Sequence, residues 1–434
     1  MLKLLNFLKF LFTLYCFNKN GCDINAEFLI KNAKSCGTVA IKLLQFICMR
    51  NGIKNKRLNI LFENCDTHTL EQTKQMYLQD FGKTLEHDFI INDKIVGSGS
   101  IGQVYRFYSR QHHGYVALKS KHPGIDKNIH TFILYIKVIN WFIRPFNMYH
   151  ELITEYLHNI TQQLDYAQEV KNMEKFKLLW KNENCVIIPE VFYSSKNFIC
   201  MSFHDGENFN ELTDKQKMMA SLYLNFIVLT SLLVHDFLHI DLHVGNWKVN
   251  LNGFKIVLYD CGIMCKTGDL QINKEIILLF LAGRFEKLVY VIGNGTQEKL
   301  DKLSIFIKNN LPNTSIERTQ FVIHTLLRER VVTNNCYMNI LTALGIVGEI
   351  SDKSANVFTK YVGKGYHLYE CLIYIYISLL EKMETFVSLK SFLQTFMDSD
   401  PQHKMRYNGW LLDRFGHSKE FILHDIIYDK IRLS

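Results

Sequence analysis

Residues 237–262 read FLHIDLHVGNWKVNLNGFKIVLYDCG, and they contain three side chains whose spacing decides the interpretation of the whole chain. Asp241 is followed five positions later by Asn246, and an apolar run that reads as a strand then leads to Asp260 and Gly262. Carboxylate and amide oxygens are the hard ligands that suit Mg²⁺, above all where the ion also binds phosphate groups. Residues of these types are suited to hold such an ion, and a further carboxylate could accept or orient a proton.

A glycine-rich stretch lies upstream, where residues 95–119 read IVGSGSIGQVYRFYSRQHHGYVALK. Three glycines and a following valine fit the pattern G-x-G-x-x-G-x-V, namely Gly97, Gly99, Gly102 and Val104. Glycine allows backbone N–H groups to approach phosphate oxygens without a Cβ in the way. The sequence VALK then places Lys119 on the next expected strand. Taken singly, these residues would also suit a hairpin turn and a solvated lysine, but their order relative to Asp241 and Asp260 favours a nucleotide site.

In this order the motifs resemble those of protein kinases, which carry a glycine-rich loop, a strand lysine, a catalytic loop H-R-D-x-x-x-x-N and an Asp-Phe-Gly motif. The resemblance implies that Lys119 holds the α- and β-phosphates of ATP and that Asp241 is the catalytic-loop aspartate. It implies that Asn246 and Asp260 bind Mg²⁺. It also implies an α+β fold with the two lobes of a protein kinase.

Longer stretches narrow the resemblance to one family. SIGQVYR and VALKSKHPGI, within residues 100–125, resemble SIGQVHRA…VAVKVQHPGI, and QLDYAQEVKNMEKF, residues 163–176, resembles E-L-D-x-x-x-E-A-x-N-x-x-x-F. FLHIDLHVGN, residues 237–246, resembles F-x-H-A-D-P-H-P-G-N, and CGTVAIKLLQF, residues 36–46, resembles G-P-x-x-I-K-L-G-Q. These are motifs of the UbiB-like (aarF-domain) atypical kinases, a family associated with coenzyme Q biosynthesis. The resemblance implies a family-specific N-terminal helical extension and a mostly helical C-lobe.

From about residue 36 to about residue 290 the chain resembles this family, and the family's site residues carry over to matching positions. Glu169 is expected to pair with Lys119. Met201, in FICMSFHDG, is expected to lie in the hinge between the lobes and to present backbone groups to adenine. In the family, the K-x-G-Q and E-x-D motifs restrict the access of protein substrates to the site. We expect the same gating role for the residues that match these motifs, Lys42, Gln45 and Asp165.

Five positions depart from the family's motifs. Leu44 replaces the glycine of K-x-G-Q, Gln163 the first acid of E-x-D, and Cys261 the phenylalanine of Asp-Phe-Gly. Leu242 and Val244 replace the two prolines of the catalytic loop, which frees its backbone. None of these changes removes the strand lysine, its glutamate partner or a metal ligand, so we expect a divergent enzyme that keeps its catalytic groups.

Three functions remain open from the sequence. The first is an ATP-dependent phosphotransferase or ATPase of the UbiB-like class that acts on a lipid-related or small-molecule substrate; its link to coenzyme Q metabolism comes from the resemblance alone. The second is a Ser/Thr protein kinase, with a protein as substrate. The third is a non-catalytic scaffold that binds nucleotide or lipid. The substrate groove cannot be read from the sequence, so the first two are not separated.

Composition agrees with an intracellular enzyme. The chain has 434 residues, of which 48% are hydrophobic, enough to bury a sizeable core. Its eleven cysteines form no CxxC pair, which is typical of a reducing compartment. The net charge of +8 arises from dispersed basic residues, so we expect nucleotide or anionic lipid as partners and no nucleic acid. We divide the chain into a membrane-contacting segment, an N-terminal helical extension, a kinase N-lobe and a C-lobe at 1–22, 23–87, 88–203 and 204–434.

The first 17 residues, MLKLLNFLKFLFTLYCF, place polar side chains along one helical stripe among leucines and phenylalanines. This pattern suits an amphipathic helix at a membrane interface, and hence peripheral membrane binding. The segment is short for a spanning helix, which needs about 20 apolar residues. A helix packed on the kinase body explains the pattern equally well, and the sequence leaves both interpretations open.

Overall fold

The computed structural model is an α+β protein with an antiparallel sheet and many helices, as the sequence predicts, and its chain divides into two compact units. The structure describes residues 5–7, 9–10, 12–13, 23–36, 40–41, 44, 67–91, 95–99, 101–143, 160–281, 283–329, 331 and 334–362. The first unit comprises Met1–Lys175, Pro189–His204 and Asp260–Ile263. The second unit comprises Phe176–Ile188, Asp205–Tyr259 and Met264–Ser434.

The elements are numbered in chain order. The strands are β1 (Phe89–Ile90), β2 (Ile95–Ser98), β3 (Gly102–Ser109), β4 (Gly114–Lys121), β5 (Val186–Ile187), β6 (Val191–Ser194), β7 (Phe198–Ser202), β8 (Leu238–His239), β9 (Trp247–Asn250), β10 (Lys255–Leu258) and β11 (Met264–Cys265). The helices are α1 (Asp23–Cys36), α2 (Leu70–Phe81), α3 (Leu85–Asp88), α4 (Ile125–Ile143), α5 (Tyr166–Leu179), α6 (Asp214–Thr230), α7 (Leu270–Leu281), α8 (Leu288–Ile292), α9 (Gln297–Asn310), α10 (Ser315–Arg328) and α11 (Asn335–Val362).

The first unit is built on a sheet with the strand order β1-β3-β4-β7-β6, and β2 pairs with β3. One face of this sheet forms an aromatic core with α2, in which Tyr77, Phe107 and Leu118 are fully buried. Successive side chains of a strand alternate between the two faces of a sheet. Lys119 and Lys121 therefore lie on the opposite face from Leu118, and the chemistry of this unit is placed there.

Helix α2 has well-defined ends. Thr69 caps its N-terminus and forms a capping box with Gln72, which satisfies backbone N–H groups that the first turn leaves unbonded. Gly82 ends the helix with a φ of +68°, a left-handed conformation that favours glycine. Between these ends Tyr77 anchors the helix in the core. The sequence thus fixes both the length of α2 and the face it buries.

The second unit contains a three-stranded sheet, β5-β10-β9, a two-stranded ribbon of β8 and β11, and most of the helices. Helix α6 begins at a capping box between Thr213 and Gln216 and packs against α11, where Ser221 Oγ and Ser351 Oγ lie 3.0 Å apart. The stretch Asp214–His235 is long and apolar enough to cross a membrane by length and composition. Its apolar window is 67% buried within the protein, which is the environment of a core helix.

A short connection links the Asp-x-Gly sequence to helix α7. After Ile263 the chain forms β11, and α7 already begins at Leu270. Asp236 Oδ1 accepts hydrogen bonds of 2.8 Å from both the backbone N–H and the hydroxyl of Thr267. Thr267 is 1% exposed, so this connection is fastened to the body of the second unit.

The N-terminal segment is described in part. Phe7 and Phe10 are buried, and the ring centroid of Phe7 lies 6.0 Å from that of Tyr135 in α4. Leu5 and Phe12 are 49% and 67% exposed. The segment therefore buries part of its apolar surface in the first unit and leaves part outside.

Candidate active site

Three charged side chains meet on one face of the first unit. The Nζ of Lys119, on β4, donates hydrogen bonds to Glu169 Oε1 and Oε2 at 2.6 and 2.8 Å and to Asp260 Oδ2 at 3.3 Å. Glu169 lies in the first turn of α5, where Asp165 Oδ1 accepts a hydrogen bond from the backbone N–H of Gln168 and so begins the helix. The arrangement places one ammonium between two carboxylates.

The electrostatics of this cluster follow from its burial. Burial raises the pKa of Glu169 to about 7, although the charge of Lys119 acts to lower it. Burial alone would lower the pKa of Lys119, but the charges of Asp260 and Glu169 outweigh this effect and raise it. Lys119 therefore stays protonated. The exposed fraction rises from 1% for Glu169 to 39% for Asp260, so Asp260 is the carboxylate that water and a cation can reach.

Helix α5 also holds the backbone of the Asp-x-Gly sequence. The side-chain amide of Asn172 donates a 2.9 Å hydrogen bond to the carbonyl of Cys261, and the backbone N–H of Cys261 donates to the Glu169 carboxylate. Asp260 Oδ1 accepts a hydrogen bond of 2.9 Å from the backbone N–H of Gly262. Cys261 itself is fully buried, and burial raises the pKa of its thiol well above the usual value. It is thus a packing residue, and the helix fixes the position of Asp260 beside Lys119.

The glycine-rich turn lies between β2 and β3. Gly99 N–H donates to the carbonyl of Gly102 at 2.9 Å, which closes the turn. In the sheet register Val104 is paired with Lys119, so the valine is the lysine's direct cross-strand neighbour. A Cβ on Gly102 would collide with the carbonyl oxygen of Ser120, whereas one on Gly97 would meet nothing within 4 Å. The fold therefore requires glycine at the third position of the motif but not at the first.

A partly buried polar network supports this turn, and the sequence motifs did not reveal it. The Nδ1 atoms of His68 and His122 lie 2.9 Å apart, and His122 Nε2 lies 2.9 Å from the carbonyl oxygen of Gly99. His68 also contacts Thr73 Oγ1 at 2.8 Å, and its backbone exchanges two hydrogen bonds with the Gln103 side chain. Burial, followed by the charge of His122, lowers the pKa of His68 to about 4. The network connects the start of α2 to the glycine-rich turn.

The catalytic-loop pair lies in the second unit. Asn246 Nδ2 donates to the carbonyl of Asp241 at 2.8 Å and to its Oδ2 at 3.3 Å. The backbone N–H of Asp241 donates to His239 Nδ1 at 3.2 Å, and the indole of Trp247 donates to the Leu242 carbonyl at 3.1 Å. These bonds hold the loop in one conformation without the two prolines of the family motif. The side-chain oxygen of Asn246 is the atom that can ligate a cation.

The remaining predicted site residues are placed as follows. Met201 lies inside β7, with a side chain that is 2% exposed, and it is paired with Ala117 on one side and Val191 on the other. It was expected in the hinge, but the strand ends only at Ser202, and the chain passes from the first unit to the second after His204. The reason is that all five residues of the FICMS run, Phe198–Ser202, pair in the sheet, so the strand ends later than the motif suggested.

The gating residues are described only in part. Asp165 is exposed at the start of α5, and Leu44, which replaces the motif glycine, is buried. Lys42 and Gln45 lie outside the described residues. The gating role of these residues therefore stays a prediction.

Comparison with known proteins places these motifs in a family. Residues 60–285 match the ABC1 atypical kinase-like domain. The chain is 25% identical over 259 residues to an uncharacterised chloroplastic aarF domain-containing protein kinase of Arabidopsis thaliana, covering 57% of this chain and 36% of that protein. It is 29% identical over 194 residues to the chloroplastic ACTIVITY OF BC1 COMPLEX KINASE 3 of the same plant, covering 41% of this chain and 27% of that protein.

A third relative comes from Dictyostelium discoideum. It is named "Probable serine/threonine-protein kinase abkD" and is 24% identical over 261 residues, covering 55% of this chain and 37% of that protein. The chain thus spans between 27% and 37% of the length of these three relatives. Together with the family match, they confirm the resemblance drawn from the sequence: the chain belongs to the ABC1 family of atypical kinase-like proteins, a divergent member of the group that includes the UbiB-like, aarF-domain kinases.

Proposed function

We propose that this chain is an ATP- and Mg²⁺-dependent phosphotransferase or ATPase of the UbiB-like class. The observation that carries the proposal is the contact of Lys119 with both Glu169 and Asp260. A protonated lysine beside a partly exposed carboxylate provides a positive site for phosphate oxygens and a hard ligand for the metal that accompanies them. The family kinship supports the same reaction class.

The chemistry of the donor set fits Mg²⁺. Mg²⁺ is commonly held by one or two protein carboxylates together with phosphate oxygens and water. Asp260 in the first unit offers a ligand of that kind, and the amide oxygen of Asn246 in the second unit offers another. No cluster of three or more His, Cys, Asp or Glu side chains occurs among the residues whose positions the structure gives, so nothing there indicates a zinc or other soft-metal site. When bound, Mg²⁺ would neutralise charge on the phosphates.

The roles of the protein residues follow from their contacts. Lys119, held between Glu169 and Asp260, binds the phosphates. Asp241, whose backbone and carboxylate are both held by Asn246, accepts or orients the proton of the attacking hydroxyl or water. The position of Asp260 is fixed because Asn172 and Glu169 of α5 form hydrogen bonds with the backbone of the next residue, Cys261.

The acceptor is the open part of the proposal. A lipid-related or small-molecule acceptor, with a place in coenzyme Q-related metabolism, is our first choice because of the kinship with UbiB-like proteins. A Ser/Thr protein kinase is the alternative, and the name of the Dictyostelium relative favours it. A non-catalytic nucleotide- or lipid-binding scaffold is the third. We place the protein inside the cell with peripheral membrane contact.

One experiment separates these functions. Purified protein is incubated with Mg²⁺ and ATP, with and without liposomes, and both free phosphate and phosphoprotein are measured. Phosphate release without phosphoprotein supports the first function, phosphoprotein supports the second, and MgATP binding without turnover supports the third.

A thermal-shift series tests nucleotide binding itself. MgATP should raise the Tm of the wild-type protein, because a ligand that binds only the folded state stabilises that state. Asp260→Asn should reduce this shift strongly, because the variant lacks the carboxylate proposed to bind Mg²⁺. Equal shifts in both proteins would remove Asp260 from the site. No shift in either would contradict the proposed function as a whole.

A further inference from the structure

Tyr166, the first residue of α5, lies against the lysine of the candidate site. Its side chain is 1% exposed, and its ring centroid lies 5.3 Å from the Nζ of Lys119 and 4.9 Å from the Nζ of Lys121. Lys121 is itself buried and donates a 3.2 Å hydrogen bond to Asp126 Oδ1. The face of an aromatic ring attracts cations, so Tyr166 helps to hold both lysines in place.

The hydroxyl of Tyr166 is buried, and it has no hydrogen-bond partner among the residues that the structure describes. A buried hydroxyl left without a partner destabilises the folded state, and most buried polar groups in proteins are satisfied. Burial raises the pKa of Tyr166 even though the charge of Lys119 acts to lower it, so the hydroxyl keeps its proton and is a donor. A donor held in this state fits a site whose acceptor arrives with a ligand.

The position of the hydroxyl indicates what that acceptor is. It lies 2.9 Å from the point that a Cβ on Gly102 would occupy, and Gly102 is the third glycine of the motif. Gly102 is paired in the sheet with Lys121, and Val104 with Lys119, so the glycine and the two lysines share one face of the sheet. The hydroxyl therefore lies beneath the glycine-rich turn, on the face that carries the phosphate-binding lysine.

We propose that Tyr166 is a nucleotide-contacting residue whose hydroxyl donates a hydrogen bond to a phosphate oxygen of the bound nucleotide. This inference rests on the proposed function, because it takes the nucleotide site as given. It assigns Tyr166 a second role besides its contact with the ammonium of Lys119. The glycine at position 102 is then required for a further reason, since any side chain there would occupy the space that the hydroxyl uses.

The test is Tyr166→Phe, which keeps the ring and removes only the hydroxyl. Affinities for MgATP and for adenosine are measured by calorimetry, and the Tm is measured without ligand. We expect the affinity for MgATP to fall about tenfold, the size of one hydrogen bond to a charged group, while the affinity for adenosine, which has no phosphate, is unchanged. We expect the Tm without ligand to be unchanged or raised, because the variant loses an unsatisfied buried group.

Tyr77→Phe is the matched control. The Tyr77 hydroxyl is bonded to Asp88 and Tyr193 in the aromatic core, so its removal should lower the Tm without changing the MgATP affinity. The inference fails alone if wild type binds MgATP in an Asp260-dependent manner but Tyr166→Phe binds it equally well, or loses adenosine affinity to the same extent. It also fails if Tyr166→Phe lowers the Tm as Tyr77→Phe does, since the hydroxyl would then have a partner in the protein. If wild type binds no MgATP, the proposed function fails and takes this inference with it.

Discussion

The Nζ of Lys119 lies 2.6 Å from Oε1 of Glu169, and this ion pair joins β4 to α5 within the first unit. Glu169 is 1% exposed and Lys119 13%, so both groups have lost most of their contact with water. Desolvation of two such charges costs several kcal/mol each, and their attraction offsets this only in close geometry. The ion pair therefore serves to position the two side chains rather than to stabilise the fold. Loss of either partner leaves the other as an unpaired buried charge.

Lys119→Met should lower both nucleotide affinity and stability, and the stability loss should depend on pH. Without the lysine, the pKa of Glu169 should rise further from the value of about 7 that burial already gives it. A carboxyl group whose pKa is raised in the folded state stabilises the protein at low pH. This contribution is lost as the pH rises from the group's pKa in the unfolded chain to its pKa in the folded chain. We expect a loss of about 3–5 kcal/mol at pH 8 and a smaller loss at pH 5, measured by denaturant titration.

Lys196→Met is the control for this variant. Lys196 pairs with Asp126 at 3.4 Å, but its side chain is 75% exposed, and such pairs contribute about 0–1 kcal/mol. A Lys119→Met protein whose stability loss is equal at pH 5 and pH 8 would contradict the buried-charge explanation.

Asn172→Ala should loosen the Asp260 segment. The variant loses the hydrogen bond to the Cys261 carbonyl and leaves that buried group unsatisfied, which costs about 1–3 kcal/mol. Because Asp260 precedes Cys261, we expect MgATP affinity to fall about tenfold as well. Asn225→Ala removes comparable bonds in α6 and should lower stability alone. Equal effects of the two variants on MgATP affinity would argue against a positioning role for Asn172.

The glycines of the turn should differ in their tolerance of alanine. Gly102→Ala forces a Cβ against the backbone of Ser120, and overpacking of this kind costs about 1–3 kcal/mol or more. Gly97→Ala meets open space and should keep the wild-type Tm within about 2 °C. Thermal unfolding without ligand measures both, and a Gly97→Ala protein as unstable as Gly102→Ala would show that the turn is packed differently.

Stability should fall as pH is lowered through the titration of His68. Its pKa is lowered to about 4 in the folded chain from an ordinary value of 6.5, so the unfolded chain binds the proton more readily between these values. The contribution of His68 to the free energy of unfolding is therefore complete above pH 6.5 and is lost as the pH falls towards 4. His235, whose pKa burial also lowers to about 4, titrates in the same window, so the His68 contribution is read from a variant.

The variant for this purpose is His68→Asn, compared with wild type at pH 7 and pH 5. The two pKa values alone would give about 2 kcal/mol over this interval. Because the His68 side chain is only partly buried and solvent screens its charge, we expect the wild type to lose about 1 kcal/mol more than the variant. His113→Asn, at an exposed turn position with a φ of +48° that asparagine adopts readily, is the control and should follow wild type. Parallel curves for all three proteins would show that burial and the neighbouring His122 do not hold His68 neutral.

Membrane binding should depend on the exposed apolar residues of the N-terminal segment. Leu5→Gln with Phe12→Gln leaves the buried Phe7 and Phe10 in place and removes side chains whose full burial would contribute about 1.5–3 kcal/mol each. Flotation with anionic liposomes in high salt should therefore fall at least about tenfold. If wild type and the double variant float equally, or neither floats, the segment is a helix of the protein body.

The family and the α+β class followed from the resemblance of short motifs to those of known kinases, and such motifs can be recognised because phosphate and magnesium chemistry restricts residue types at fixed spacings. Asp241 and Asn246 are five apart on one loop, and such local constraints are visible without a structure. Contacts between distant positions are not visible in this way. His68 and His122 are 54 residues apart and share no motif, so their contact appears only once β3, β4 and α2 are assembled.

The position of Met201 shows a second limit. A strand that is buried on both faces reads as a continuous apolar run, and nothing in such a run marks where pairing ends. The hydroxyl of Tyr166 is a third case, because the sequence cannot show that a polar atom lacks a partner. Its neighbour Glu169 was found from the motif alone, since the strand lysine demands an acid at that place.

The fastened connection between the Asp-x-Gly sequence and α7 has a consequence for how the protein is controlled. Between Ile263 and Asp269 the only hydroxyl is that of Thr267, which is buried and bonded to Asp236. A modifying enzyme could reach it only by first unfolding the connection, so a covalent mark here cannot act as an on-off signal.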